Sequence, residues 1–133
     1  MQVEARIVRL RLAETFVIAR DATDVADVVH VALTHGAVTG YGEAAPIERY
    51  EESPASAKAF VEEHAELLGD DPFALEEIGE RLATVPGEQA GKSALDAALH
   101  DLQGKLLGQP VHRVLGPPPA RVSSRSGPSA WRR

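Results

Sequence analysis

The sequence predicts an α+β fold, an antiparallel three-stranded sheet followed by a bundle of about three helices. Two observations carry this. Apolar residues recur with period 2 through residue 44 and with a helical period from residue 53 onward. The two kinds of segment also follow one another without interleaving, which argues against a doubly wound α/β sheet.

Val3, Ala5 and Ile7 alternate with Glu4, Arg6 and Val8, and this first strand is expected to run through Leu12. "TFVIAR" (15–20) reads as a second, short β-prone segment, and "DATD" (21–24) as a loop. "DVVHVALTHG" (27–36) is the next strand. Gly36 supplies the turn, and "AVTGYGEA" (37–44) returns as the antiparallel partner. Gly40 and Gly42 mark either a bulge or the close approach of another backbone.

Ser53-Pro54 has the form of an N-cap followed by proline at the first helical position. Ala57, Phe60, Val61, His64, Leu67 and Leu68 share one face of that helix, with Glu62, Glu63 and Glu66 on another. Asp71-Pro72 is expected to open a second helix carrying Phe73, Leu75, Ile78 and Leu82. A third helix runs from about Gln89 to Leu107 and stops at Gly108, with Pro110 just beyond. Its apolar residues, among them Ala97 and Ala98, span more than one stripe, so it is expected to be the central buried helix. Asp101 and Lys105, and likewise Asp96 and His100, have the i,i+4 spacing of helix-surface pairs.

At 133 residues the chain has the length of one ordinary domain. Residues 1–101 hold all 20 acids against 8 Lys/Arg, a net −12; residues 102–133 hold 6 Lys/Arg and no acid, a net +6. An acidic body disfavours nucleic acid as a partner. The N-terminus lacks the unbroken apolar run of a signal peptide or membrane span. Without cysteine there is no disulfide, thiol nucleophile or Cys-ligated metal, which is compatible with a cytoplasmic setting.

"SALDAALHDLQGKLLGQPVHRVLG" (93–116) resembles the signature of the mandelate racemase and muconate lactonizing branch of the enolase superfamily. Ser93, Ala94, Leu95, Asp96, Ala98, Leu99, Asp101, Leu102, Gly104, Lys105, Pro110, Val111, Leu115 and Gly116 fit the pattern. Gly91 and Val114 depart from it, standing where Ala and Leu are usual. "GYGEAAP" (40–46) is similar to the G-x-G-E-A segment of the same proteins. "ETFVIARDATDVADVVHV" resembles the substrate loop of the dipeptide epimerases, with Thr15 in place of a usual Pro. The resemblance covers residues 2–116, an N-terminal capping domain, and leaves 117–133 as an expected disordered, basic Pro/Ser/Arg tail.

The resemblance implies a cap that closes the mouth of a (β/α)-barrel. There a Lys or His base would abstract a proton α to a carboxylate while Mg²⁺ stabilises the enediolate. A barrel needs about 200 residues, and seventeen follow Gly116. We therefore expect a truncation or reading-frame shift of an epimerase-like gene, inactive alone, with the barrel missing or supplied in trans. No catalytic residue carries over, since Lys58, Lys92 and Lys105 all sit on cap helices. No metal site is expected either. Glu48, Glu51 and Glu52 read as a solvated acidic cluster, and His30 and His35 fall on opposite strand faces. No cofactor is expected in this chain, whereas Mg²⁺ serves the full-length parent.

What carries over is a share in substrate recognition by two loops, residues 14–24 and 44–52. The candidates are Phe16, Ile18, Arg20 and Ile47, with Pro46, Arg49 and Tyr50 beside the last. Phe16 and Ile18 read equally as core residues of a short strand. Arg20 is either a fork for a substrate carboxylate or an exposed surface charge. The expected partners are the barrel and, with it, a dipeptide or other small carboxylate; neither nucleic acid nor membrane is expected. Self-association through an exposed apolar cap surface is a further expectation. Alternatives are a stand-alone binding module, or the cap of a muconate cycloisomerase or o-succinylbenzoate synthase-like enzyme.

Overall fold

The computed structural model describes residues 1–18 and 21–116. Three strands precede the helices, as the periodicity predicts: β1 (Gln2–Ile18), β2 (Asp21–His35) and β3 (Val38–Ala44), in sheet order β1-β2-β3. β1 does not stop at Leu12, and 21–24 is not a loop. β2 pairs with β1 from Thr34 opposite Gln2 to Val25 opposite Arg11, then again from Thr23 opposite Phe16 to Asp21 opposite Ile18. Between these stretches Leu12, Ala13, Glu14 and Thr15 oppose Asp24 alone. This slip breaks the alternation that would otherwise have read as one strand. Thr15 Oγ1 donates to Asp24 Oδ1 across it at 2.5 Å.

β2 and β3 form a hairpin closed by Gly36 and Ala37, with His35 opposite Val38. Gly36 sits at φ +60°, which costs glycine nothing. On the inner face Ala5, Val29, Val31, Leu33 and Ala44 are buried. They join a single core with Ala57, Phe60, Val61, Leu68, Ile78, Leu82 and the apolar residues of the third helix.

α1 (Pro54–Glu63) opens as expected. Ser53 Oγ accepts from Ser56 N at 3.0 Å and Ser56 Oγ accepts from Ser53 N at 2.9 Å, a reciprocal cap. The helix is shorter than predicted, because the chain tightens to a 3₁₀ turn over Ala65–Leu68. α2 (Leu75–Ala83) begins later than Asp71-Pro72. The Asp71 carboxylate instead accepts from Phe73 N at 2.8 Å, holding a non-helical turn that leaves Phe73 exposed. α3 (Gln89–Leu106) matches its prediction to within a residue, and α4 (Val111–Val114) is a single turn.

α3 is the central helix, with Ala94, Leu95, Ala98, Leu99 and Leu102 buried. Ala97, expected within its buried arc, is exposed instead. Of the two roles open to Gly40 and Gly42, close backbone approach is the one adopted. A Cβ on Gly40 would collide with the Ala98 carbonyl oxygen, and one on Gly42 with that of Ala94. Gly91 is explained by the same logic. A methyl there would come within 2.9 Å of the Phe60 ring, so the larger aromatic fills the space. Among the described residues no helix is long and apolar enough to cross a membrane.

Candidate functional site

β3 runs toward the end of the sheet from which the β1–β2 hairpin projects, since β2 and β3 are antiparallel and Ala44 lies opposite Val29. The hairpin continues past that point by β2 residues 21–28, about 26 Å at strand rise. The segment after β3 leaves the sheet at this same end, so both predicted recognition segments lie toward one end of the sheet, with the hairpin tip reaching well beyond the other segment.

Phe16 is 47% exposed and therefore is not a core residue. Val17, Val25, Ile47 and Tyr50 are exposed as well. Ile47 precedes a single 3₁₀ turn, Glu48–Tyr50, which ends at Glu51 in a left-handed conformation (φ +62°). Ile18 lies at the end of β1 opposite Asp21; Arg20 lies outside the described residues. Val17 and Val25 were missed as candidates. Val25 is opposite Arg11 at the slip, where the sequence pattern is least regular.

One ion pair stiffens the projecting hairpin. Arg9 Nε and Nη2 each donate at 2.8 Å to the two carboxylate oxygens of Asp27, directly across the strands. The hydrogen bond from Arg9 holds the Asp27 carboxyl below the ordinary aspartate range. It outweighs the opposing desolvation, and the Arg9 charge adds to it.

The other singled-out groups have structural partners. Glu52 is buried, not solvated: its oxygens accept from Gln89 N at 2.5 Å and Ala90 N at 3.2 Å, capping α3 from 37 residues away. Lys58 pairs with Glu62 at 2.6 Å, and Lys92 Nζ donates to the Val85 carbonyl at 2.5 Å. Asp101 and Lys105 form the predicted pair at 2.6 Å but also bind β3, through Tyr41 N at 2.8 Å and the Thr39 carbonyl at 2.9 Å. His30 Nε2 lies 3.0 Å from Glu43 Oε2 on the outer sheet face. Among the described residues no three His, Asp or Glu side chains assemble a metal site, so the residues present do not fit Mg²⁺. A groove of about 880 Å³ lies on that outer face, lined by Arg6, His30, Tyr41 and Glu43, away from the exposed apolar end.

Residues 2–116 match the family described as mandelate racemase / muconate lactonizing enzyme, N-terminal domain. The chain belongs to this family. It is 36% identical over 108 residues to the L-Ala-D/L-Glu epimerase of Bacteroides thetaiotaomicron, covering 80% of this chain and 28% of that protein. The dipeptide epimerase of Enterococcus faecalis, solved with Mg and the dipeptide L-Leu-L-Tyr, superposes with a TM-score of 0.79 at 31% identity. That match covers 86% of this chain and 34% of the other. The muconate lactonizing enzyme of Pseudomonas fluorescens, solved with muconolactone, gives 0.77 at 31% identity, covering 86% and 33%. The chain thus spans about a third of the length of the relatives it matches. It is an enolase-superfamily N-terminal domain of α+β architecture, similar to those of dipeptide epimerases and of a muconate lactonizing enzyme.

Proposed function

We propose that residues 2–116 are the substrate-recognition cap of a dipeptide-epimerase-like enzyme. The observation that carries the reading is the exposure of Phe16, Val17, Val25, Ile47 and Tyr50 at one end of the sheet, beyond the helix-backed core. Apolar groups there are suited to exclude water and to contact the side chain of a bound dipeptide. Ile18 and Arg20 are the further candidates in this reading, the arginine for the planar donor pair that its side chain offers a substrate carboxylate. In this reading proton abstraction and Mg²⁺ binding are the work of a (β/α)-barrel, on the same polypeptide or another chain. The dipeptide epimerases among the curated relatives support this substrate class. The likeness to muconate lactonizing enzyme supports a muconate-type parent as the second reading.

A chimera tests the proposal. Residues 2–116 replace the matching segment of the Enterococcus faecalis enzyme, and α-proton exchange of L-Ala-L-Glu and hydrophobic dipeptides is followed by NMR in D₂O. Exchange by the chimera, with none by this chain alone, is expected. A folded chimera that exchanges no dipeptide, when the same residues placed in the Pseudomonas fluorescens muconate lactonizing enzyme support muconate cycloisomerisation, would transfer the cap to the second reading. Exchange above background by the 133-residue chain would overturn the assignment of chemistry to the barrel.

A further inference from the structure

The sheet has two edges, β1 and β3, and they differ in what covers them. The two-residue turn makes His35 and Val38 a hydrogen-bonded pair, so Thr39 and Tyr41 turn their backbone groups away from β2. α3 occupies that side. Asp101 accepts the Tyr41 N–H, Lys105 donates to the Thr39 carbonyl, and the Lys105 ammonium lies 4.6 Å from the Tyr41 ring centre. This is an edge closed by side chains.

The same alternation points β2 residues 26, 28, 30, 32 and 34 at β1. Val3, Ala5, Ile7, Arg9 and Arg11 are then left with backbone N–H and C=O groups along the outer edge of β1. Among the described residues these groups have no partner beyond the sheet ladder. β1 contains no Pro or Lys, two residues that commonly blunt an edge, and its register with β2 is unbroken from Gln2 to Arg11.

We propose that the β1 edge pairs antiparallel with β1 of a second copy, about a two-fold axis at Ala5, to form a continuous six-stranded sheet. Among axes from Ala5 to Arg9, charge favours this register. With the axis at Ala5, Glu4 of each copy faces Arg6 of the other, and Val3 faces Ile7, covering a side chain that is 47% exposed. An axis at Arg6 sets Arg6 against itself, and one at Arg9 sets Arg9 against itself. Axes at Ile7 or Val8 leave Glu4 and Arg6 opposite apolar residues. The odd-numbered edge residues oppose one another in the chosen register, as a hydrogen-bonded ladder requires. Isologous pairing of this kind is closed, so it ends at the dimer.

Sedimentation equilibrium of the full chain and its variants tests this. A reversible dimer is expected. Glu4→Arg or Arg6→Glu should each weaken it about tenfold, since two cross-axis pairs change from attractive to repulsive. The double swap E4R/R6E should restore the wild-type constant. Both side chains are exposed on the outer face, and circular dichroism checks that the variants fold. Cysteine trapping gives a second readout, because the chain has no cysteine of its own. Glu4→Cys mixed with Arg6→Cys should cross-link more efficiently than either variant alone, since residues 4 and 6 would face each other at about 4.5 Å between Cα atoms. A monomer at all concentrations, a dimer indifferent to both charge swaps, or equal cross-linking by one variant alone would overturn the proposal.

Discussion

At one end of the sheet β3 lies so close to α3 that Gly40 and Gly42 have no room for a side chain; at the other, the β1–β2 hairpin runs on with Phe16, Val17 and Val25 open to solvent. The first region has its backbone and side chains committed. Leu33, Leu95, Leu99 and Leu102 are buried, and Asp101 and Lys105 bind the strand edge. In the second, apolar side chains stand unburied on a two-stranded ribbon, an arrangement only marginally stable by itself in water. Stability is thus concentrated where the helix backs the sheet, and the surface proposed for recognition lies where nothing described covers it.

The comparison can be broken most forcefully at the glycines. Gly42→Val should destabilise the domain by about 3 kcal/mol or more, because the new side chain must displace helix backbone and not a movable side-chain end. The midpoint of urea denaturation reports it, and a shift below about 0.5 kcal/mol would deny the close approach. Leu102→Ala, at a fully buried position, should cost about 2–5 kcal/mol in the same measurement.

Glu52→Ala comes next. Losing a carboxylate that accepts from two orphan N–H groups at the start of α3 should cost about 1–2 kcal/mol. Its role was not legible in the sequence, where it stands in an acidic run 37 residues from its partners. Helix α3 was legible almost to the residue, because its apolar spacing, glycine stop and family pattern all agree. The extent of β1 was not. Leu12–Thr15 break the alternation where the register slips, and the polar residues Asp21, Thr23 and Asp24 read as loop although their backbone pairs or lies beside β1. The segments proposed for recognition were named by resemblance, but which of their residues are exposed needed the structure, since "TFVIAR" suits a core strand equally well.

The projecting hairpin should lose protection on acidification through its own ion pair. Asp27 has its pKa lowered in the folded state by Arg9. Its contribution is therefore present above the unfolded aspartate pKa and is lost as pH falls through the lower folded value. Hydrogen exchange, corrected for its intrinsic pH dependence, should show protection lost at residues 8–11 and 25–28 on acidification before it is lost at residues 94–99, the buried middle of α3. Equal loss in both regions would contradict the division.

The smallest effect on stability is expected at Phe16. Phe16→Ala should leave the denaturation midpoint of this chain within about 0.5 kcal/mol of wild type, as for an exposed position. In the barrel-bearing chimera the same substitution should change the ratio of kcat/KM between a hydrophobic dipeptide and L-Ala-L-Glu by about tenfold, the scale of losing apolar contact in a recognition pocket. That ratio is the most direct test of the cap as a recognition element. A clear change in preference with stability unaltered is the predicted result; an unchanged ratio in a folded, active chimera would contradict it.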